Sequence, residues 1–162
     1  MTSETKNRYG SAVVTLPSDT QILITRSFDA PADAVFTAYT TPDYVRRWWG
    51  FETSEWLVCE IDLRVGGAWR YVVRHDDFEV GFHGEYREVE RPTRLVTTEV
   101  FEGMPDAHAV NTTTFDEVDG VTTMTTLVQH ESQEHRDGHI ASGMEAGMQV
   151  SYDRMEAALR AA

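Results

Sequence analysis

Basic residues are scarce in this chain: 14 Lys and Arg stand against 27 Asp and Glu, for a formal net charge of −13. A surface so uniformly acidic repels phosphate backbones and anionic lipid heads, which argues against nucleic acid and membrane surfaces as partners. Its plainest consequence is solubility. Cysteine is nearly missing too. The one residue, Cys59, cannot close an internal disulfide, which fits a reducing compartment. It lies inside an apolar strand pattern, where a free thiol acts as a small hydrophobe more often than as a nucleophile. No apolar run approaches the ~20 residues that span a bilayer, and the polar stretch from Met1 to Gly10 is unlike a signal peptide. A cytoplasmic location is the expectation. There is no internal repeat, no low-complexity linker, no Ser-His-Asp signature and no nucleotide fingerprint. Gly66-Gly67 lacks the following helix that anion binding requires. No cofactor is expected.

What the chain does have is apolar and aromatic mass. Of 162 residues, 41% are hydrophobic, with four Trp, seven Phe and six Tyr, enough for one sizeable core. Residues 1–10 read as a loose tail and 11–162 as a single domain. Ala12 to Leu16 and Ile22 to Phe28 read as strands, separated by the turn cluster Pro17-Ser18-Asp19. Two short helices follow. The first has Asp29 or Ala30 as its cap and Pro31 at its start; the second has Thr41 as cap before Pro42 and ends at Gly50. From Glu55 the hydrophobic period becomes two. Strands are predicted over 56–63, 68–74, 80–89, 95–101, 109–115 and 122–129, joined by tight turns that imply antiparallel pairing. The period then returns to helical. Arg136 to Leu159 reads as one helix with Ile140, Met144, Met148, Met155 and Leu159 along a stripe. Strands segregated from helices mark an α+β domain, and a lone amphipathic helix must lie across the sheet.

Several short motifs recur in a telling order between Ile22 and Leu159. They are Ala30-Pro31-Ala32-Asp33-Ala34-Val35-Phe36, Trp48-Trp49-Gly50, Arg64-Val65-Gly66-Gly67-Ala68-Trp69-Arg70-Tyr71 and Gly81-Phe82-His83-Gly84-Glu85-Tyr86-Arg87-Glu88-Val89. Phe101-Glu102-Gly103-Met104-Pro105-Asp106 and Ser142-Gly143-Met144-Glu145-Ala146-Gly147-Met148 complete the set. In these the chain resembles the SRPBCC (START-like, birch-pollen-allergen-like) superfamily and, within it, the family of the activator of heat-shock protein 90 ATPase. The resemblance implies the helix-grip fold: a curved antiparallel sheet, two short helices and one long C-terminal helix over a cavity. It also implies a chaperone-activator, stress-response label. In the eukaryotic activator a further N-terminal domain contacts the chaperone, and 162 residues are expected to leave no room for it.

The candidate site follows from aromatic density. Trp48, Trp49, Trp69, Tyr71, Phe82 and Tyr86 fall on short-helix or alternating strand positions and serve either as walls of a ligand pocket or as ordinary core. Met144 and Met148 would add adaptable lining. Gly143 and Gly147, four apart in a helical pattern, each cost ~1 kcal/mol relative to Ala. Either the helix backbone approaches the sheet or space is kept for a ligand, and a leucine at 147 would separate the two by opposite effects on stability. Gly84 within a strand admits the same two explanations. Glu99 shares a strand face with Phe101; if that face is inward, Glu99 is an enclosed carboxylate with a raised pKa, and if Thr98 faces in, it is not. His83 alternates with Phe82, Gly84 and Tyr86 and so should face away from the helix. His130 ends a strand. His135 and His139 have helical spacing, but polar neighbours and Gly138 suggest an exposed, frayed turn, so no metal site is expected.

Three functions remain in play. The first is a module binding a hydrophobic or amphipathic small molecule between sheet and helix. The second is a cyclase- or hydrolase-like enzyme using the same pocket, which would need two ionisable groups within hydrogen-bond reach inside it; none is expected. The third is a protein-interaction domain, with a chaperone contact or a homodimer as the assembly, which would need an exposed apolar patch.

Overall fold

The computed structural model describes residues 10–50 and 54–161. The expected tail therefore lies outside the described residues, except Gly10. That residue is held, its N–H donating to the Asp153 carboxylate at 3.0 Å.

Eight strands alternate with turns and build one antiparallel sheet. They are β1 (Val13–Thr15), β2 (Gln21–Phe28), β3 (Glu55–Ile61), β4 (Ala68–His75), β5 (Phe78–Glu90), β6 (Arg94–Phe101), β7 (His108–Val118) and β8 (Val121–His130). Their spatial order is β1-β2-β8-β7-β6-β5-β4-β3. The β7–β8 turn is set by Asp119 and Gly120, both at positive φ (52° and 80°), the geometry that matches the twist of a two-residue hairpin. Strict alternation makes one face apolar. Ile22, Ile24 and Phe28 of β2 share it with Met124 and Val128 of β8 and Phe115 of β7, all buried. Each such large side chain removed from water contributes roughly 1.5–3 kcal/mol.

The helices α1 (Ala32–Thr40) and α2 (Pro42–Trp48) sit between β2 and β3. Pro31 is the N-cap of α1, one residue earlier in role than the sequence pattern placed it, and its first N–H is met from outside: Ala32 donates to the Glu117 carboxylate of β7 at 2.8 Å. Thr41 precedes Pro42 as expected but makes no side-chain cap bond.

The C-terminal helical region is two helices, α3 (Gln133–Ala141) and α4 (Met144–Ala161), where the sequence pattern suggested one from Arg136 to Leu159. Gly143 takes φ +82°, a left-handed conformation that stops α3 and lets the chain turn into α4. The apolar stripe stays in phase across the break, which is why periodicity does not reveal it. The long helix is α4. It packs on the apolar face, with Tyr152 and Met155 in one core with Ile22, Ile24 and Phe28.

Polar fasteners set its position. Arg26 on β2 and Glu156 on α4 are both fully buried and pair at 3.2 Å. Arg26 also reaches Asp153 at 3.1 Å and stacks 4.6 Å from the Phe28 ring. Glu156 further accepts the Asp29 N–H at 3.3 Å. On one flank of α4 the Gln149 side chain exchanges two hydrogen bonds with the Ala12 backbone, at 3.0 and 2.7 Å. On the other, Arg154 donates to the Gly50 carbonyl at 3.0 Å.

Candidate functional site

The face of the sheet beneath α4 is closed at one end and open at the other. At the β2–β8 end the inward positions from Ile22 to Phe28 and from Thr122 to Val128 are buried, as is Thr113, whose hydroxyl bonds that of Thr126 at 3.1 Å. Across β3 to β7 the same face keeps accessible surface. Trp49, Trp56, Phe82, Glu99 and Asn111 are only partly buried, Phe101 is 39% exposed, and Met144 and Met148 in the first turns of α4 are partly buried against the core.

The predicted site residues divide along this line. Trp48 is buried in the core: its indole donates to the Ala38 carbonyl at 2.9 Å and it stacks on Tyr39 at 5.5 Å. Trp69 is buried with its indole donating to the Thr98 carbonyl at 3.2 Å. Gly84 is required by that bond, because a Cβ there would collide with both the Thr98 carbonyl and the Trp69 ring nitrogen. Close packing is thus the explanation for Gly84. Tyr86 is buried behind Gly67, whose carbonyl accepts its N–H. These three form the floor's support.

The accessible aromatics Trp49, Trp56, Phe82 and Phe101 touch one another around Tyr71, which is itself buried. Trp49, just after α2, meets Trp56 at 5.5 Å, Tyr71 at 5.2 Å and Phe82 at 5.4 Å between ring centroids. Phe82 meets Phe101, its cross-strand partner, at 5.2 Å at the rim. Trp56 is a member the sequence reading left among ordinary strand residues, although its alternation with the strand face was visible. Gly147 is exposed on α4, and a Cβ there would meet nothing within 4 Å. Backbone contact with the sheet is therefore not its reason, and Gly143 is explained by its φ.

Polar groups punctuate this apolar surface. Glu99 faces inward with Phe101, and burial raises its pKa, opposed by the Asn111 amide that donates to it at 3.2 Å. Its charge is felt by Tyr39, Tyr71 and Tyr152, three phenols already pushed upward by burial, Tyr39 to about 12. His83 faces the other way, where its Nδ1 lies 2.8 Å from Glu102. Arg70 grips the same carboxylate at 2.9 Å, and that hydrogen bond is the main reason the Glu102 pKa falls to about 2. Arg70 and Glu102 line a shallow depression of about 290 Å³ together with Val72, Glu79, Gly81, Phe101 and Gly103.

One expectation is overturned at the end of the inner face. His130 is opposite Ala109, which is opposite Glu99, so it points inward, and its Nε2 lies 3.0 Å from His139 Nδ1 on α3. His130 and His139 are thus an ionisable pair at the strand end, and what is overturned is the exposure expected of them. The turn is not frayed: Ser132 caps α3 by accepting the His135 N–H at 3.1 Å. Burial, then the neighbouring His139, His135 and Arg136, lower the His130 pKa to about 4; burial lowers that of His139. Among the described residues no group of three or more His, Cys, Asp or Glu could hold a metal ion.

Residues 29–160 match the family described as activator of Hsp90 ATPase homolog 1-like protein. The chain belongs to this family. Solved structures of like shape include a protein from Rhodobacter sphaeroides, 24% identical, covering 93% of this chain and 99% of that one with a TM-score of 0.87. A protein from Arthrobacter aurescens is 23% identical over 93% and 92% of the two chains, TM-score 0.82. One from Mycobacterium smegmatis is 24% identical over 90% and 95%, TM-score 0.80. At these identities the likeness is one of fold, the helix grip. No functionally curated protein matches the chain. No helix among the described residues is long and apolar enough to cross a membrane.

Proposed function

We propose that this member of the activator of Hsp90 ATPase homolog 1-like family binds a hydrophobic or amphipathic small molecule between the open end of its inner sheet face and the first turns of α4. The observation that carries this reading is the uneven burial of one continuous face. Its β2–β8 end is sealed, whereas Trp49, Phe82, Phe101, Met144 and Met148 keep apolar surface at the other end. Apolar area left in a concave position, beside a small number of placed polar groups, is the composition of a ligand site. Met side chains above and rigid aromatic rings below suit ligands of varied outline.

Native mass spectrometry of the purified chain tests this directly. An additional mass that disappears on denaturation is expected. A Met148→Arg variant, which sets a charge at the mouth at a side chain packed on the edge of the core, should lose that mass while keeping a cooperative melt. A wild-type protein that carries no extra mass and takes up no hydrophobic dye would overturn the proposal.

A further inference from the structure

Resting on that binding reading, we infer that the ligand presents a hydrogen-bond donor, a hydroxyl or an ammonium group, to Glu99 and Asn111 on the inner face. The argument is one of incomplete pairing. Thr97 is opposite Asn111 and Glu99 is opposite Ala109, so Glu99 and Asn111 are diagonal neighbours on β6 and β7 with both side chains inward. The Asn111 amide donates to one Glu99 oxygen at 3.2 Å. That bond uses the only kind of donor the pair contains. The Asn111 Oδ1 is buried with no hydrogen-bond partner, and among the described residues no arginine forms an ion pair with Glu99.

The other inward carboxylate shows how unusual this is. Glu156, fully buried, accepts from Arg26 and from the Asp29 N–H, so its charge and its lone pairs are met. Enclosed carboxylates ordinarily need such company, because desolvating an unpaired charge is costly. At Glu99 the carboxylate is met by the Asn111 amide alone, and the Asn111 Oδ1 beside it is buried without a partner. Two of the three tyrosines that sense the Glu99 charge are engaged elsewhere: Tyr39 bonds Thr113 and Tyr152 bonds Thr126. An acceptor-only polar point under aromatic walls selects alcohols and amines with an apolar body. It rejects acids, since a ligand carboxylate or phosphate would face like charge in a low-dielectric setting.

Four naphthalenes of similar size separate these chemistries by isothermal titration of the full chain at neutral pH: 2-naphthylmethanol, 2-naphthylmethylamine, 2-naphthoic acid and 2-ethylnaphthalene. A hydrogen bond to an enclosed charged group predicts that the alcohol, the amine or both bind about tenfold or more tighter than 2-ethylnaphthalene, with the acid weakest. A gain for the alcohol identifies a neutral donor; a gain confined to the amine identifies a cation. Glu99→Leu should erase the preference, so that neither the alcohol nor the amine binds tighter than 2-ethylnaphthalene. Glu99→Gln, which keeps the shape, should lose the amine preference without a folding defect. Equal binding of all four probes, or a preference that survives Glu99→Leu, overturns the inference while the groove stands. If none of the four binds, the groove reading itself fails and this inference with it.

Discussion

The two halves of α4 are held in different ways. From Gln149 onward the helix is fastened on both flanks and from below: to Ala12, to Gly50, and through Glu156 to Arg26. Before Gln149 it offers Met144, an exposed Gly147 and Met148, with no comparable polar fastener described. The contrast shows that a helix need not be gripped along its length to be placed. Fixing 13 of its 18 residues (149–161) is enough to place the rest. Stability resides at one end and accessible surface at the other, so residues of the two ends should respond to substitution independently.

The strongest way to break the comparison is to remove a fastener. Glu156→Ala leaves the buried Arg26 guanidinium with Asp153 as its one carboxylate and is expected to cost about 1.5–3 kcal/mol of unfolding free energy by chemical denaturation. Arg26→Met combined with Glu156→Leu should recover at least half of that loss, because two apolar side chains leave no orphaned charge. A single variant within about 1 kcal/mol of wild type would mean that the pair does not anchor the helix.

Acid sharpens the comparison at the open end. His130, with a pKa lowered to about 4, refuses protons that the unfolded chain takes up near its ordinary value of 6.5. The unfolded state therefore binds more protons between those values, and stability should fall as pH drops through that window. His139, lowered by burial, adds in the same direction. Both rings keep some contact with solvent, so the expected cost is on the order of 1 kcal/mol. Denaturation midpoints at pH 7 and pH 4.5 measure it. A doubly substituted His130→Gln, His139→Gln protein should show a shallower slope; an unchanged slope would place the acid sensitivity elsewhere.

The smallest expected effect is a gain. Gly147→Ala adds a methyl group that meets nothing, and the helix should be stabilised by somewhat less than 1 kcal/mol, visible as a small rise in melting temperature. A fall would reveal a contact across the open end.

Strand positions were readable because half-buried strands alternate, and β2 to β8 all appear within a few residues of where that period puts them. The same alternation carried Arg26 inward with Ile22, Ile24 and Phe28, so the buried cation was visible as an anomaly. Its partner was not, since nothing local ties residue 26 to residue 156. The α3–α4 break was hidden by an apolar stripe that keeps phase through Gly143. Within the site, Trp48, Trp69 and Tyr86 belong to the same pattern as Trp49, Tyr71 and Phe82. Only the backbone carbonyls that Trp48 and Trp69 reach, and the packing of Gly67 against Tyr86, separate support from surface. His130 looked like a strand end; what encloses it arrives with α3, after a capped turn that spacing alone does not aim.

The placement of β2 between β1 and β8 has a consequence for how the chain is made. Gln21 and Gln129, side by side in the sheet, are separated by 108 residues of chain. During synthesis β2 leaves the ribosome with only β1 to pair with, and a two-stranded ribbon is marginal in water. Ile22, Ile24 and Phe28, among the most deeply enclosed residues of the finished molecule, stay uncovered until translation has passed His130. The nascent polypeptide thus carries its stickiest strand bare for most of its elongation, and the order of translation runs opposite to the order in which this sheet can be sealed.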